Sequence, residues 1–448
     1  MQSLIVMVGF WAIQQGSALQ NSTTLTLDQA VALASTQAFS IRTAKVNVGK
    51  AQDLVDLAKT GQGLNVSLNG GYTRIEQQGV KQSPGGVGGG FAGGPPQDET
   101  KVSLAINQVI DITGALGKAV SQARLNKEAQ EMLVLAEVNG VKARVRSAYF
   151  QILQADSLIA VQQAEVDAAK ERLSKAQVRF NNDAIPKFDV IRFETELRRS
   201  EQALINGKLD AALARQNLNN ILGRPIETPL DVVPVTGLPS ADLNPDAVTQ
   251  VGLSKRPDLL AAEKSLLALI KVMEREKLGM GPQLSVSASH SEVVGPLSVG
   301  AARGQTVAGI NVSLPLYDSH STRTKVRSAN KDIENAQIQL ELARLGIALE
   351  IRSALSRLIS AQESLTTAQK TKELSQESLR LAQLRYDENV GLFVDLVTAQ
   401  AEFTRAANAV VLAEYQYLTA YAELQRAAGS DTLTQTALVA AAQAGDKK

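Results

Sequence analysis

Two long stretches of the chain, residues 116–179 and 322–385, space their apolar positions as helices do and contain no proline. At a rise of ~1.5 Å per residue, each would form a helix on the order of 90–100 Å long. The second stretch carries two separate apolar stripes, one comprising Ile338, Leu342, Leu345 and Leu349 and the other comprising Ile347, Ile351, Leu355 and Leu358. Two narrow stripes on one helix predict a packing neighbour on each side, as in a cylinder of helices.

A shorter helical pattern precedes each long helix. The first begins with Thr26 as a predicted N-cap and runs to about Lys59. Its counterpart runs to Lys277, and we expect a break in it at Pro257, because proline lacks an amide hydrogen and clashes with the preceding turn.

Between the shorter and the long helix, each half contains two segments whose apolar and polar residues alternate. In the first half the apolar positions are Leu64, Val66, Leu68 and Tyr72, followed by Val102, Leu104 and Ile106. In the second half they are Leu284, Val286 and Ala288, followed by Ile310, Val312, Leu314 and Leu316. Glycine-containing loops, residues 85–96 and about 295–304, join the strands. Strands of about ten residues with one apolar face fit a transmembrane β-barrel, but a soluble hairpin would show the same alternation.

The segment that follows each long helix occurs twice. Three pairs at an offset of 206 (385 − 179) illustrate the match: Arg179 with Arg385, Phe180 with Tyr386, and Asp189 with Asp395. The same offset carries Leu218 to Leu424 and Gly223 to Gly429. A constant register over this distance indicates an internal duplication whose copies turn at matching hairpin tips. Return helices are predicted from about Asp189 to Leu222 and from about Asp395 to Ala428.

Composition limits the chemistry that the chain can perform. The 46 basic and 45 acidic residues nearly balance, so no strong field indicates nucleic acid as a partner. The absence of cysteine excludes disulfides, thiolate metal sites and a cysteine nucleophile, and only His290 and His320 supply imidazoles. The run Asp318-Ser319-His320 has the residue types of a catalytic triad, but helix capping by Asp318 or Ser319 explains it better. We therefore predict no enzyme, no metal site and no cofactor.

The chain is expected to divide into four parts. Residues 1–20 resemble a signal peptide, because a short apolar run is followed by Gly16 and Ala18 at the spacing of a cleavage site; a buried N-terminal helix or strand is the alternative. The first structural repeat, residues 21–230, comprises helix, β-hairpin, long helix, tip and return helix. The second repeat covers residues 231–430. Residues 431–448 form a predicted flexible tail.

Taken in order, these motifs resemble those of the TolC-like outer-membrane efflux proteins over about residues 25–430. The tip-and-return motif reads Arg-Tyr…Asp-Leu-Val-Thr-Ala-Gln in residues 385–400 and Arg-Phe…Asp-Val-Ile-Arg-Phe-Glu in residues 179–194. Three further motifs match: Leu-Asn-Asn-Ile-Leu-Gly-Arg-Pro at 218–225, Arg-Pro-Asp-Leu at 256–259 and Pro-Leu-Tyr-Asp at 315–318. The chain departs from the family at its tips, where Ala-Ile-Pro at 184–186 and Asn389 stand in place of the commoner glycine. Its aromatic girdle is reduced to Tyr72, Tyr317 and Phe91.

The resemblance implies a passive duct. The fold would be an α+β membrane protein, with a long antiparallel α-helical coiled-coil barrel and four strands per chain contributed to a shared outer-membrane β-barrel. Three chains would form the duct, which would contact outer-membrane lipid and extend far into the periplasm. Its tips would dock a periplasmic adaptor protein connected to an inner-membrane pump. The cargo would be small toxic compounds or, in type I secretion, polypeptides.

The same resemblance assigns roles to individual residues. The pore entrance or gate would consist of Asp395, Asp189 and Tyr386, with Asp395 from three chains forming an acidic ring and Tyr386 hydrogen-bonding Asp189 of the neighbouring hairpin. Stabilisation of the helix N-termini is the alternative role of both aspartates. The adaptor-docking tips would use Arg179, Phe180, Pro186, Arg385 and Gly391. The lipid-facing strand positions would be Val286, Ile310, Val312 and Leu314.

Two other functions fit parts of the pattern. A periplasmic adaptor, or membrane fusion protein, also has a long helical hairpin, but adaptors normally carry one hairpin and this chain is duplicated. A soluble coiled-coil scaffold with incidental strands is the second. Heat-modifiable migration and extraction only by detergent would separate a barrel from both.

Overall fold

The structure is a computed structural model that describes residues 23–75, 97–235, 237–239, 243–294, 303–388, 390–431 and 433. The expected signal peptide, most of the expected tail, the loop at 85–96 with Phe91, and Asn389 lie outside these residues. The chain forms two compact units. Unit 1 comprises Met1–Arg42, Glu137–Lys255 and Ile347–Lys448, and unit 2 comprises Thr43–Ala136 and Arg256–Gly346. Each unit therefore takes segments from both halves of the sequence.

The two halves build the same series of helices. The first half contains α1 (Leu27–Gln37), α2 (Phe39–Thr60), α3 (Ala115–Asn181) and α4 (Lys187–Leu222). The second half contains α5 (Pro245–Lys255), α6 (Pro257–Lys277), α7 (Ser321–Asp387) and α8 (Phe393–Ala428). Helices α3 and α7 each have 67 residues, or about 100 Å, and α4 and α8 each have 36. Within the described part of the chain, no helix is both long and apolar enough to cross a membrane.

Both short helices are interrupted, but only one interruption involves proline. Thr26 caps α1 as predicted, in a capping box with Gln29. The prediction of one helix from Thr26 to about Lys59 was wrong, because Ala38 adopts an extended conformation (φ −54°, ψ 130°) between α1 and α2. The expected break at Pro257 is present between α5 and α6. Since Ala38 is buried, core packing sets the first break without help from proline.

Unit 1 has a core in which alanines of α1 meet larger side chains of α3. Two short strands, β1 (Thr23–Leu25) and β4 (Leu230–Val232), pair in parallel beside it. Tyr149 of α3 is fully buried, and its hydroxyl lies 2.9 Å from the carbonyl oxygen of Leu25 and 2.7 Å from that of Val233. The same hydroxyl accepts a hydrogen bond from the amide of Val233 at 2.9 Å. Burial raises the pKa of Tyr149, so the hydroxyl stays protonated and holds α3 against the strands.

The two stripes of α7 differ in burial. Ile347, Ile351, Leu355 and Leu358 are between 0% and 5% exposed. Ile338, Leu342, Leu345 and Leu349 are between 56% and 70% exposed. On the buried side, Gly252 of α5 allows close approach, because a Cβ atom there would lie 2.3 Å from Cδ1 of Ile351. One of the two neighbours predicted for α7 is thus supplied by the chain itself, and the other side is open to solvent.

Unit 2 contains a four-stranded antiparallel sheet in the order β2 (Leu64–Ile75), β3 (Gln97–Ile110), β5 (Gln283–Val294) and β6 (Gly304–Ser313). Its register aligns the apolar positions in one row: Val66, Ile106, Ala288 and Ala308. The adjacent row on the opposite face is polar: Asn65, Asn107, Ser287 and Gly309. The alternation read from the sequence therefore separates two faces across all four strands. In the described chain, the outer edges of β2 and β6 have no partner strand.

Two predicted strand positions fall outside the sheet. Strand β6 ends at Ser313, so Leu314 and Leu316 follow it rather than belong to it. Pro315 explains this end, because it has no amide hydrogen to continue a ladder. The turn that follows leads directly into α7.

Candidate functional site

The hairpin tips lie in unit 1, where each long helix turns into its return helix. In the first tip, Asp183 takes a left-handed conformation (φ 54°), and the amide of Ala184 donates to the carbonyl oxygen of Arg179 at 2.9 Å. Aspartate tolerates this conformation better than most side chains do. The first tip therefore turns at Asp183, without the glycine common in the resembling family, and Pro186 follows as the N-cap of α4.

The second tip depends on glycine. The amides of Val390 and Gly391 donate to the carbonyl oxygen of Arg385 at 2.9 Å and 2.8 Å. A Cβ atom at position 391 would lie 2.9–3.0 Å from Cβ and the carbonyl carbon of Arg385 and from the amide nitrogen of Tyr386. Because two of these atoms are backbone, they cannot rotate away. Gly391 thus lets the end of α7 and the start of α8 approach closely.

Asp189 and Asp395 occupy the third position of α4 and α8, two residues after the observed helix starts. The N-caps are Pro186 and Leu392, and neither has a side-chain capping hydrogen bond. The helices therefore begin two residues before the predicted approximate starts, and the aspartates are not the N-cap residues themselves. Their carboxylates instead lie in the first turn, where they interact favourably with the helix dipole by about 0.3–1 kcal/mol each.

Three aromatic rings join the two hairpins. Phe193 of α4 packs edge-to-face on Phe393 of α8 at 4.6 Å between centroids and on Tyr386 of α7 at 6.3 Å. Tyr386 and Phe393 lie 6.5 Å apart, also edge-to-face. Arg179 at the end of α3 places its guanidinium 4.9 Å from the centre of the Tyr386 ring. Edge-to-face pairs and cation–π contacts contribute about 0.5–1.5 kcal/mol each beyond simple burial, so this cluster stabilises the contact between the tips.

The hydroxyl of Tyr386 is buried and has no hydrogen-bond partner in the described chain. Within the described chain, the expected hydrogen bond to Asp189 is therefore not formed. The pKa of Tyr386 is raised, mainly by burial. The nearby charge of Arg179 lowers this pKa, and the carboxylates of Asp189 and Asp387 raise it. The hydroxyl stays neutral and leaves an unpaired donor. A cavity of about 450 Å³ adjoins it, lined by basic side chains that include Arg172, Lys175 and Arg179.

A polar network that sequence reasoning missed connects α3 with α8. Arg172 pairs with Glu165 at 2.6 Å and donates to the side-chain oxygen of Gln400 at 2.9 Å. Glu165 also accepts hydrogen bonds from Gln400 and from Thr404, the latter at 2.9 Å. The side chains of Arg172 and Glu165 are each only 13% exposed. One signal could have revealed the network: Gln400 interrupts the otherwise apolar buried face of α8.

The predicted docking residues fall on surfaces of both tips. Phe180 is 37% exposed, Pro186 is the N-cap of α4, and Arg179 and Arg385 lie in the last turns of the long helices. Sequence reasoning overlooked three further exposed apolar side chains there: Phe188, Val390 and Leu392. These side chains are exposed because each tip is short and has too few residues to cover them.

Asp395 faces a separate surface depression of about 360 Å³ on the α7–α8 hairpin, together with Arg385 and Glu402. All three side chains are exposed. Asp395 and Asp189 therefore differ in surroundings although they occupy equivalent positions, since Asp189 lies close enough to Tyr386 to influence its pKa.

The residues predicted to face lipid lie on the apolar face of the sheet or just beyond it. Val286 is 39% exposed, Ile310 71%, Val312 67% and Leu314 52%. Such a contiguous exposed apolar surface is unusual for a soluble monomer and marks a contact with membrane or protein.

The structure contains no catalytic arrangement at the motif that resembled a triad. The Asp318 carboxylate accepts a hydrogen bond from the amide of Thr322 at 2.7 Å, near the start of α7, as expected for a capping role. Hydrogen bonds from the side chain and then the backbone of Thr322 lower the pKa of Asp318. Among the residues that the structure describes, no cluster of His, Cys, Asp and Glu has metal-binding geometry.

Comparison with known proteins adds findings of three kinds: a family, relatives in sequence and a solved structure. The sequence profile of the family described as outer membrane efflux protein matches residues 30–224 and 248–430. The outer membrane efflux protein BepC of Brucella suis is 22% identical over 332 residues, which cover 71% of this chain and 71% of BepC. The alkaline protease secretion protein AprF of Pseudomonas aeruginosa is 22% identical over 334 residues, which cover 73% of this chain and 67% of AprF. The CmeC outer membrane channel of Campylobacter jejuni has the same fold, with a TM-score of 0.74 at 17% identity over 94% of this chain and 89% of CmeC.

Proposed function

Because the chain belongs to the outer membrane efflux protein family, we propose that three copies form the exit duct of a tripartite efflux or type I secretion system. The protein is a TolC-like channel protein of the outer membrane, and its activity is transport rather than chemistry. In the proposed assembly the sheet of unit 2 contributes to a shared β-barrel. The long helices form the periplasmic part, and the tips dock an adaptor.

The main observation that supports this proposal is that both edges of the four-stranded sheet are unpaired in the described chain. In lipid, each unpaired backbone group at an edge costs several kcal/mol, so a four-stranded sheet must close by pairing with other copies. The strands alternate in direction, so β6 of one copy meets β2 of the next in antiparallel orientation. Two copies would supply eight strands and three would supply twelve. The family resemblance favours three.

The exposed stripe of α7 supports the same assembly from the helical side. Its four large apolar residues, Ile338, Leu342, Leu345 and Leu349, follow helical spacing and lack a covering element in the described part of the chain. A neighbouring copy would bury them at about 25 cal/mol per Å² of apolar surface. The polar face of the sheet, with Asn65, Asn107 and Ser287, would then line a water-filled lumen.

Membership of the family indicates only the general classes of cargo that the duct would carry. BepC is named for efflux and AprF for secretion of alkaline protease, so small compounds and polypeptides are both compatible with the fold. A periplasmic adaptor would bind the exposed apolar residues of the tips, including Phe180, Val390 and Leu392. An inner-membrane pump would supply the energy.

Disulfide cross-linking tests the proposed barrel directly, because the chain has no native cysteine. Val66→Cys on the β2 edge is combined in turn with Ala308→Cys, Ile310→Cys or Val312→Cys on the β6 edge. We expect oxidised membranes to contain covalent dimers and trimers for at least one pair, and only monomers for each single variant. Mass measurement in detergent should give a trimer.

A stable, monodisperse monomer in detergent would overturn the channel proposal, because its sheet edges would remain unpaired. Covalent dimers without any trimer in all three pairs would contradict the assembly of three copies. A protein that leaves the membrane without detergent would favour the soluble scaffold instead.

A further inference from the structure

Both long helices begin with stretches that contain basic residues and no acidic ones. Residues 112–127, around the start of α3, include Lys118, Arg124 and Lys127. Residues 319–331, around the start of α7, include Arg323, Lys325, Arg327 and Lys331. The chain as a whole has nearly equal numbers of acidic and basic residues, so these stretches are a local departure that occurs in both halves.

This arrangement opposes the usual electrostatics of a helix. The N-terminus of a helix carries a partial positive charge, which favours acidic side chains in the first turn. Neither α3 nor α7 has an acidic residue in its first turn; the nearest carboxylates, Asp111 and Asp318, precede the helices and accept hydrogen bonds from the amides of Gly117 and Thr322. Positions that break a local rule without compensation within the chain are candidates for function.

The two helices differ in how far the chain compensates these charges. Near the start of α3, Lys118 pairs with Glu274 at 2.6 Å and Lys127 with Glu131 at 3.3 Å. On α7, Arg323, Lys325 and Arg327 are exposed and make no hydrogen bond or ion pair with any described residue. The nearby carboxylate of Asp318 is already engaged by the amide of Thr322.

Lys277 at the end of α6 joins these three cations. A Cβ atom on Gly279, two residues after Lys277, would lie 3.0 Å from Oγ1 of Thr322, so the end of α6 contacts the first turn of α7. Lys277 is also exposed and unpaired within the described chain. We call Lys277, Arg323, Lys325 and Arg327 the basic collar of unit 2.

Along the chain, the α7 cations of the basic collar follow strand β6 after a short connection. Leu316, which lies between β6 and α7, is 85% exposed, and Tyr317 beside it is 74% exposed. Exposed tyrosine next to an apolar surface is typical of the level at which a membrane meets water. Along the chain, the apolar strand is followed by the tyrosine and then by the cations. This is the order in which a membrane presents its lipid tails, its interface and its headgroups.

We propose that the basic collar binds the phosphate headgroups of anionic phospholipids in the membrane leaflet nearest the helices. This inference rests on the proposed function, because it requires that the apolar face of the sheet contact lipid. Guanidinium and ammonium groups match phosphate oxygens in charge and geometry. The acyl chains of the same lipids would cover Leu316 and the apolar face, which a free phosphate ion could not do.

Native mass spectrometry of the full-length protein in detergent tests the proposal. The protein is mixed at equal ratios with phosphatidylglycerol, which is anionic, or phosphatidylcholine, which is zwitterionic. We expect the wild type to retain phosphatidylglycerol preferentially. One cation near an anionic surface corresponds to about a fivefold change in affinity. The variant R323Q/K325Q/R327Q should therefore bind phosphatidylglycerol at least about tenfold more weakly, with phosphatidylcholine binding unchanged.

Two controls separate charge at this position from charge in general. The variant K45Q/K50Q/K208Q removes the same number of exposed cations far along the sequence from the collar and should keep the wild-type preference. The variant R323K/R327K retains the charge and should also keep it. Heat-modifiable migration of each variant verifies that its barrel has formed before binding is compared.

Several results would overturn the proposal. Equal retention of the two lipids by wild-type trimers would exclude a headgroup site while leaving the channel intact. Displacement of phosphatidylglycerol by an equal concentration of inorganic phosphate would show an ion site instead. A wild-type protein that forms no trimer would contradict the proposed function itself, so the two failures are distinguishable.

Discussion

At the hairpin tips, Tyr386 contributes its ring rather than its hydroxyl to the contact between α4, α7 and α8. The ring packs against Phe193 and Phe393 and lies beneath the guanidinium of Arg179. Its hydroxyl is buried without a partner in the described chain, which is destabilising by about 1–3 kcal/mol relative to a paired group. The ring therefore holds the tips together, and the hydroxyl adds no hydrogen bond to that contact within the described chain.

This division of roles predicts different effects of two substitutions. Tyr386→Ala removes the ring and should raise the open probability of single channels in a planar bilayer, because the hairpins lose their aromatic contact. Tyr386→Phe keeps the ring, so its open probability should stay close to that of the wild type. A clear increase in Tyr386→Phe would show that the hydroxyl does find a partner in the assembled channel, as the family resemblance implied.

Gly391 should be far less tolerant of a side chain than a glycine in open space. Gly391→Ala forces a methyl group against the backbone of Arg385 and Tyr386 and should cost about 1–3 kcal/mol. Gly346→Ala on α7 is the matched control. It has no atom within 4 Å of the added Cβ and should stabilise the helix by about 0.5–1 kcal/mol. Urea unfolding followed by circular dichroism measures both, and similar effects of the two changes would contradict the close approach of α7 and α8 at this tip.

In the network around Glu165 between α3 and α8, loss of the Arg172 charge should destabilise the protein more than loss of the Thr404 hydroxyl. Arg172→Met leaves the Glu165 carboxylate buried without a counter-charge and should destabilise the protein by about 3–5 kcal/mol. Thr404→Val keeps the shape and removes one of several hydrogen bonds, which should cost about 1 kcal/mol. The same unfolding measurement distinguishes them. Equal losses would mean that solvent reaches Glu165 and supplies the missing partner.

The sheet of unit 2 offers a matched pair of substitutions on its two faces. Val312→Arg places a charge on the apolar face and should cost about 2–4 kcal/mol if the position lies near the membrane midplane. Asn311→Arg lies on the polar face, where Asn311 donates to the hydroxyl of Ser287 at 3.3 Å, and should be tolerated. The amount of heat-modifiable trimer in membranes measures both. If both variants lose trimer equally, the assignment of the lipid-facing side is wrong.

For the molecule as an assembled channel, Asp395 should control selectivity at the periplasmic entrance. Three copies of this exposed carboxylate would form an acidic ring that attracts cations. Asp395→Ala should therefore reduce cation selectivity in planar bilayers, whereas Asp189→Ala should change it less, because Asp189 lies beside Tyr386. Unchanged selectivity in Asp395→Ala would leave this residue with only its role in the first turn of α8.

The linear pattern of residues was sufficient for the main features that depend on regular local spacing. The offset between Arg179 and Arg385 locates both tips, and the 67-residue helices before them lack proline and carry helical apolar spacing. The alternation from Leu64 onward separates two faces of a strand, because side chains point to opposite sides with a period of two. Such regularities are local and do not depend on what the segment packs against.

Only the tertiary structure decided features that depend on residues distant in sequence. The helix breaks at Ala38 without a proline, because Ala38 is packed in the core. Gln400 can lie on the buried face of α8 because Arg172 and Glu165 of α3 complete its hydrogen bonds. The two stripes of α7 look equivalent as sequence, yet one is buried and the other exposed. The physical reason is the same in each case: burial and polar pairing are properties of neighbours in space, which a single stretch of sequence does not contain.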